Sequence, residues 1–313
     1  MLYLFLIIIM FVVMISYFKI ADYYNNIDHP NERSSHTEVT IRGGGVIFLF
    51  AALFALILHP ESWLIVLGMF TIGIISFIDD RITLSSKIRI IFHLTAVTLM
   101  FFALGIFQLL PWYICAALYI LVIGIINAYN FMDGINGITG LYSLIVLSGL
   151  QYVNYKVFSF INPDLIWLPI MACCVFLFFN FRKRAKCFAG DVGSVTIAFY
   201  IIYLILKLIL HTENYAYILF LAVYGVDAVL TIVHRLILKQ NIFDAHRLHF
   251  YQILANEQKW SHLWVSSLYA IIQLIIIAIV IFVPLGLVIL FLLSTLPLML
   301  VYVILKPRLM LKD

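Results

Sequence analysis

Eleven long apolar runs divide this chain, at residues 2–18, 43–58, 62–78, 88–106, 111–126, 136–153, 165–181, 192–210, 215–233, 264–282 and 285–305. A helix needs about 20 mostly apolar residues to cross a bilayer, and a few less where its ends are flanked by snorkelling side chains. Apolar residues surround each run instead of lining one stripe, as helices in lipid require. The ten-residue alternation of a membrane barrel is not seen. Charged residues make up only 11% of the 313, against 65% hydrophobic ones, so a water-facing surface of that size could not be built. The sequence therefore predicts an all-α polytopic membrane protein of about eleven spans, with ten as the lower alternative. No repeat or low-complexity linker interrupts it, so residues 1–313 are expected to form one domain.

Charge sets the expected orientation. The first run has no basic residue before it and no small-residue cleavage site, and Lys19 follows it. It therefore predicts a retained span, with the N-terminus on the outer side. The loops 19–42, 79–87, 127–135, 182–191 and 234–263, and the tail from 306, then face the cytoplasm. Of the 19 Lys and Arg residues, all but Lys156 and Lys207 fall on or beside that face. Such a bias is the positive-inside signature. The net charge of +4 thus points to lipid headgroups or an anionic substrate, with no nucleic acid implied. Of the 15 acidic residues, Glu61, Asp164 and Glu213 are assigned to outer loops and the other twelve to the cytoplasmic side. Cys115, Cys173, Cys174 and Cys187 have no metal or redox spacing and are read as apolar filler.

Five loops on that one face carry unusual polar residues. Asp79 and Asp80 close the third run, where the helix dipole and their mutual repulsion both disfavour two carboxylates. A cation would relieve this; the plain alternative is pairing with Arg81 or Lys87. In the run from Asn127 to Ile138, a continued helix would place Asn127, Asn130 and Asp133 on one stripe. The plain alternative there is an Asx- and Gly-rich turn. Asp191, in Gly190-Asp191-Val192-Gly193-Ser194, reads either as a helix N-cap or as a hard oxygen ligand for Mg²⁺. The last loop holds Arg235, His246, Arg247 and His249, suited to a diphosphate; zinc lacks further ligands at suitable spacing. The first loop offers Arg33, His36 and Arg42 before Gly43-Gly44-Gly45, a run that serves tight packing or phosphate approach to backbone amides.

In this order the motifs resemble those of the polyprenyl-phosphate N-acetylhexosamine-1-phosphate transferases, which include phospho-MurNAc-pentapeptide transferase. The carriers are Arg-Ser-Ser-His and Arg-Gly-Gly-Gly, Asp79-Asp80, Asn-x-x-Asn-x-x-Asp-Gly-x-x-Gly from Asn127, Gly190-Asp191-x-Gly193-Ser194, and the histidine loop. The resemblance implies transfer of HexNAc-1-phosphate from a UDP-N-acetylhexosamine to undecaprenyl phosphate, releasing UMP. It implies Mg²⁺, with Mn²⁺ as a substitute, on Asp191, with Asp79 the second candidate ligand. Asp79, Asp80, Asp133 and His249 would be catalytic. Arg33, His36, Arg42, Asn127, Asn130, His246 and Arg247 would contact substrate. The implied location is a bacterial inner membrane, with the site facing the cytoplasm.

The last loop reads His246-Arg247-Leu248-His249-Phe250-Tyr251-Gln252, where many members have Asp-Arg-x-His-x-His-His. This is similar to the shorter members that start O-antigen or capsule repeats. The lysine of the muramyl-pentapeptide branch is replaced here by His36 and Arg42, which disfavours the peptidoglycan enzyme. The sugar, the polymer and the oligomeric state, a homodimer included, stay open. A transporter or flippase of lipid-linked sugars is the rival, but it would place ionisable residues within the spans. A prenyltransferase would need paired Asp-x-x-x-Asp motifs, which are absent.

Overall fold

The computed structural model describes residues 1–28, 40–241 and 247–310. Each of the eleven apolar runs forms a helix: α1 (Leu2–Tyr23), α2 (Ile47–Leu58), α3 (Trp63–Arg81), α4 (Ser86–Leu104), α5 (Trp112–Phe131), α6 (Ile138–Lys156), α7 (Asp164–Asn180), α8 (Gly190–Thr212), α9 (Ala222–Ile237), α10 (His262–Phe282) and α11 (Leu287–Leu309). A short 3₁₀ turn, Gly44–Val46, leads into α2, and another, Tyr215–Leu221, into α9. Eight of these helical segments are long and apolar enough to span a bilayer, so the chain is an all-α polytopic membrane protein. Helix α2 with its leading turn and helix α7 are shorter apolar helices.

Local signals place the helix ends. Ser85 accepts from the Ile88 amide at the start of α4, and Ser261 does the same for Trp264 at the start of α10. Gly105, with φ at 68°, stops α4 in a left-handed turn that a side chain would resist.

Helix α8 is the axis of the molecule. Of its most apolar window 89% is buried, against 17% for α11, which is mostly bare to lipid. Helices α3 and α5 pack on α8, while α6 packs between α7 and α10. One short strand pair, Ile27–Asp28 with Thr40–Ile41, closes the first loop. Ile41 also bridges to Cys187, and its carbonyl accepts from the Phe188 amide at 2.8 Å. The first loop is thereby stitched to the segment that opens α8. At the far end of the bundle, Tyr3 and His59 both bond Asp164, far from all the motifs above.

Candidate active site at one end of the bundle

Asp79 and Asp80 leave the last turn of α3 in different directions. Asp80, whose side chain is 2% exposed, meets the Arg42 Nε at 3.4 Å through Oδ1. Its Oδ2 accepts from the Val192 amide in the first turn of α8 at 3.2 Å. Arg42 also donates to the Asp80 carbonyl at 3.0 Å. Asp79 turns instead to the Leu84 amide at 2.7 Å and to Arg89 at 3.3 Å. The cations that relieve this end of α3 are therefore Arg42 and Arg89, not Arg81 or Lys87. The reason is reach: Arg89 stands one turn into the next helix and Arg42 comes from a distant loop.

Asp191 lies in the first turn of α8, but its side chain makes no cap bond, and Ala189 holds the cap position. The N-cap reading of Asp191 is thus overturned. The carboxylate instead accepts from Asn130 Nδ2 at 2.9 Å through Oδ1, and the same amide group donates to Ser194 Oγ at 3.0 Å. Helix α5 ends at Phe131, two residues short of Asp133, so the expected continuous stripe is broken. Asp133 stays on the same side because its amide donates to the Asn130 carbonyl at 3.1 Å. Asn127 is half-buried one turn back along α5.

Asp79, Asp80 and Asp133 each lie near enough to Asp191 for their charges to interact. Burial, with Asp191 beside it, pushes the Asp133 carboxyl up to about 7. Among the described residues no group of three or more His, Cys, Asp or Glu encloses a metal by itself. Mg²⁺ is commonly held by one or two carboxylates, the remaining positions going to phosphate and water. Asp191 fits such a half-site, because its Oδ2 has no hydrogen-bond donor among the described residues. Asp79 would join it with the Leu84 amide and Arg89 already on its two oxygens.

The glycines serve packing. The Gly44 and Gly45 amides donate to the carbonyls of Phe188 and Ala189 at 2.7 and 3.0 Å, so neither is left for a phosphate. A Cβ on Gly45 would stand 2.0 Å from Gly193 Cα. The Arg42 loop can therefore lie flush against the first turn of α8, which brings Arg42, Asp80 and Asp191 together.

The last loop folds around a carboxylate hidden within the apolar run 215–233. Asp227 lies within α9, not in a loop, and is 4% exposed. It accepts from His249 Nδ1 at 3.2 Å, from the Phe250 and Tyr251 amides at 3.0 and 3.4 Å, and from Tyr269 at 2.7 Å. His249 does not lie along a helix face; it caps the turn Phe250–Gln252. Tyr251 donates to the Phe131 carbonyl at 2.9 Å, which ties this turn to the end of α5. A lone carboxylate in an apolar run was the available signal for Asp227. Arg235 is buried and bonds Gln240 and Asn241, bracing the loop. Arg247 is half-buried beside His249 in sequence. Arg33, His36 and His246 lie outside the described residues. Asn136 and Asn180, also unremarked in sequence, cross-link the loops: Asn136 to the Arg182 carbonyl at 2.8 Å, and Asn180 to the Gly137 amide at 2.6 Å and the Cys187 carbonyl at 2.8 Å.

Fold and site together define a polytopic membrane protein that gathers crowded carboxylates, arginines and a buried aspartate–histidine pair at one end of its helices. Residues 62–209, from the start of α3 to the last turn of α8, match the family model of glycosyl transferase family 4, which bears out the family resemblance carried by the motifs. Among curated proteins, the chain is 26% identical over 257 residues to a probable undecaprenyl-phosphate N-acetylglucosaminyl 1-phosphate transferase of Bacillus subtilis, covering 75% of this chain and 71% of that one. It is 25% identical to a phospho-N-acetylmuramoyl-pentapeptide-transferase of Thermotoga petrophila, over 77% of this chain and 83% of the relative. An undecaprenyl-phosphate alpha-N-acetylglucosaminyl 1-phosphate transferase of Salmonella typhi is 29% identical over 60% of this chain and 57% of its own.

Proposed function

We propose that this protein transfers a HexNAc-1-phosphate from a UDP-N-acetylhexosamine to undecaprenyl phosphate, as the first step of an O-antigen, capsule or related surface polysaccharide. An oxygen of the lipid phosphate attacks the β-phosphorus of the UDP-sugar. The bond from that phosphorus to the bridging oxygen breaks, and UMP leaves with the electron pair. The product is an undecaprenyl-diphosphate-linked sugar. The observation that carries this reading is the convergence of Arg42, Asp79, Asp80, Asn130, Asp133 and Asp191, from helix ends and loops distant in sequence, at one end of the helices.

The chemistry suits that set of residues. A phosphate monoester is already nucleophilic near neutral pH, so the obstacle is bringing two polyanions together and stabilising charge on the leaving group. Asp80 has both oxygens engaged, by Arg42 and the Val192 amide, which suits a positioning role better than proton abstraction. Arg42, 40% exposed at its side chain, can turn from Asp80 to a phosphate. Asp191, with Asp79 as second ligand, would hold Mg²⁺, which supplies charge neutralisation between the phosphates. His249 and Arg247 would face the sugar nucleotide from the last loop.

The basic loops support a location of this end on the cytoplasmic face of a bacterial inner membrane, with the N-terminus periplasmic. There a water-borne nucleotide sugar meets a phosphate anchored in lipid. The test uses membranes containing the protein and UDP-HexNAc labelled in the sugar and in the β-phosphate. Both labels should pass into undecaprenyl lipid, and only with Mg²⁺ present. Asp191→Asn should abolish transfer while the protein remains in the membrane. Full activity in that variant, or no lipid product with any UDP-HexNAc in a sugar panel, would refute the proposal.

A further inference from the structure

Asp227 sits where an unpaired carboxylate would be costly, inside a helix of an apolar bundle. It is far from unpaired. Its two oxygens collect His249 Nδ1, the backbone amides of Phe250 and Tyr251, and the hydroxyls of Tyr269 and, at 3.2 Å, Thr231. Thr231 shares a 2.7 Å hydrogen bond with Tyr302 of α11, and Tyr302 accepts in turn from the buried Lys306. One carboxylate thus joins α9, α10, α11 and the end of the last loop.

The two amides bound by Asp227 open the turn that His249 caps. The bond to Nδ1 also fixes the imidazole: Nδ1 carries the proton and Nε2 points the other way. The His249 ring stands 6.3 Å from the ring of Phe131, at the end of the helix that carries Asn127 and Asn130. Orientation of a histidine by a carboxylate on its far nitrogen is a general way to pre-set a functional side chain.

We propose that Asp227 is a positioning residue: it holds His249 and the following turn so that the Arg247–His249 segment presents itself to the nucleotide sugar rather than to the lipid phosphate. This rests on the transfer reaction proposed above for the same site. Asp227 itself touches no substrate; it acts through His249.

The test compares Asp227→Asn, Asp227→Ala, His249→Ala and the double variant Asp227→Asn/His249→Ala in detergent-solubilised full-length protein. Limited trypsin digestion, read by mass spectrometry, follows cleavage after Arg247 and after Lys259. Asp227→Asn should raise cleavage after Arg247 by about tenfold and leave Lys259 unchanged, a result independent of any activity. In the transfer assay the same variant should lose roughly 10²-fold in kcat/KM for the UDP-sugar, the scale of a small misplacement. The KM for polyprenyl phosphate should stay at the wild-type value, and the double variant should be no worse than His249→Ala.

Unchanged cleavage after Arg247 would overturn the anchoring. So would a raised KM for polyprenyl phosphate, or additive losses in the double variant, since neither follows if Asp227 acts through His249 on the nucleotide sugar. If wild-type protein transfers no sugar phosphate at all, the reaction fails, and the digestion still decides whether Asp227 holds the loop.

Discussion

The crossing of Gly45 over Gly193 offers the sharpest test of how backbone contact builds the site. An added Cβ at Gly45 would lie 2.0 Å from Gly193 Cα, 2.7 Å from its amide nitrogen and 2.8 Å from the Ala189 carbonyl oxygen. All three are backbone atoms, so no side chain can swing aside. Carbon atoms pack favourably at about 3.5 Å, so Gly45→Ala must part the two segments by about 1.5 Å. Overpacking of this kind costs about 1–3 kcal/mol. At roughly 2 kcal/mol the unfolding midpoint of a chain of this length should drop by about 3 °C. The loss in transfer should be larger, because Asp191 and the Val192 amide ride on the turn that moves. Displacements near 1 Å at such groups cost about 10²-fold.

Gly193→Ala is predicted to be milder, since its Cβ would meet Gly45 Cα and the Ala189 Cβ at 2.8 Å. Gly124→Ala is the control: nothing lies within 4 Å of its Cβ, so stability should hold or rise slightly. The assay pairs a thermal melt in detergent with lipid-linked product formed per folded protein. A Gly45→Ala variant with wild-type midpoint and turnover, or one no worse than Gly124→Ala, would refute the reasoning.

Two further outcomes follow from the carboxylates. The Asp133 carboxyl is raised to about 7 in the fold, so between its unfolded value and 7 the folded state binds the extra proton. Stability should therefore fall as pH rises from about 4 to 7, and Asp133→Asn should flatten that part of the curve; melts in chelator across this range check it, and an equal slope in the variant would count against it. Asn130→Ala removes the amide that orients Asp191, and loss of such an outer partner typically weakens metal binding 10- to 100-fold. The Mg²⁺ concentration for half-maximal transfer should rise accordingly, and an unchanged requirement would show that Asn130 does not serve Asp191.

Much of this protein was legible before any coordinates. Long apolar runs have no stable solution but membrane helices, because an unpaired backbone in lipid costs several kcal/mol per group. Each run accordingly became a helix, from α1 at Leu2–Tyr23 to α11 at Leu287–Leu309. The order of the polar motifs sufficed to show the resemblance that the family model over residues 62–209 bears out, since motif order is a property of the chain itself. What sequence could not show was partnership. Asp80 meets an amide 112 residues away, and Asn130 meets a carboxylate 61 residues away. No periodicity encodes such pairs, which arise only when helices pack.

The same limit explains the particular misreadings. Arg81 and Lys87 were the near neighbours of the aspartate pair, yet Arg42 and Arg89 have the reach and direction. Asp191 had the position of a cap but turned its carboxylate to α5. The glycine run, ambiguous as a string, became a crossing point once Gly193 lay against it. Asp227 vanished into an apolar run because hydropathy averages over a window, and one charge among many apolar residues barely moves the mean. Only the packing of α9 against α10, with the last loop folded back upon it, turned that isolated carboxylate into the anchor of His249. Hydrophobicity acts locally and leaves its pattern along the chain, whereas hydrogen bonds between distant side chains depend on a geometry that exists only after the helices have met.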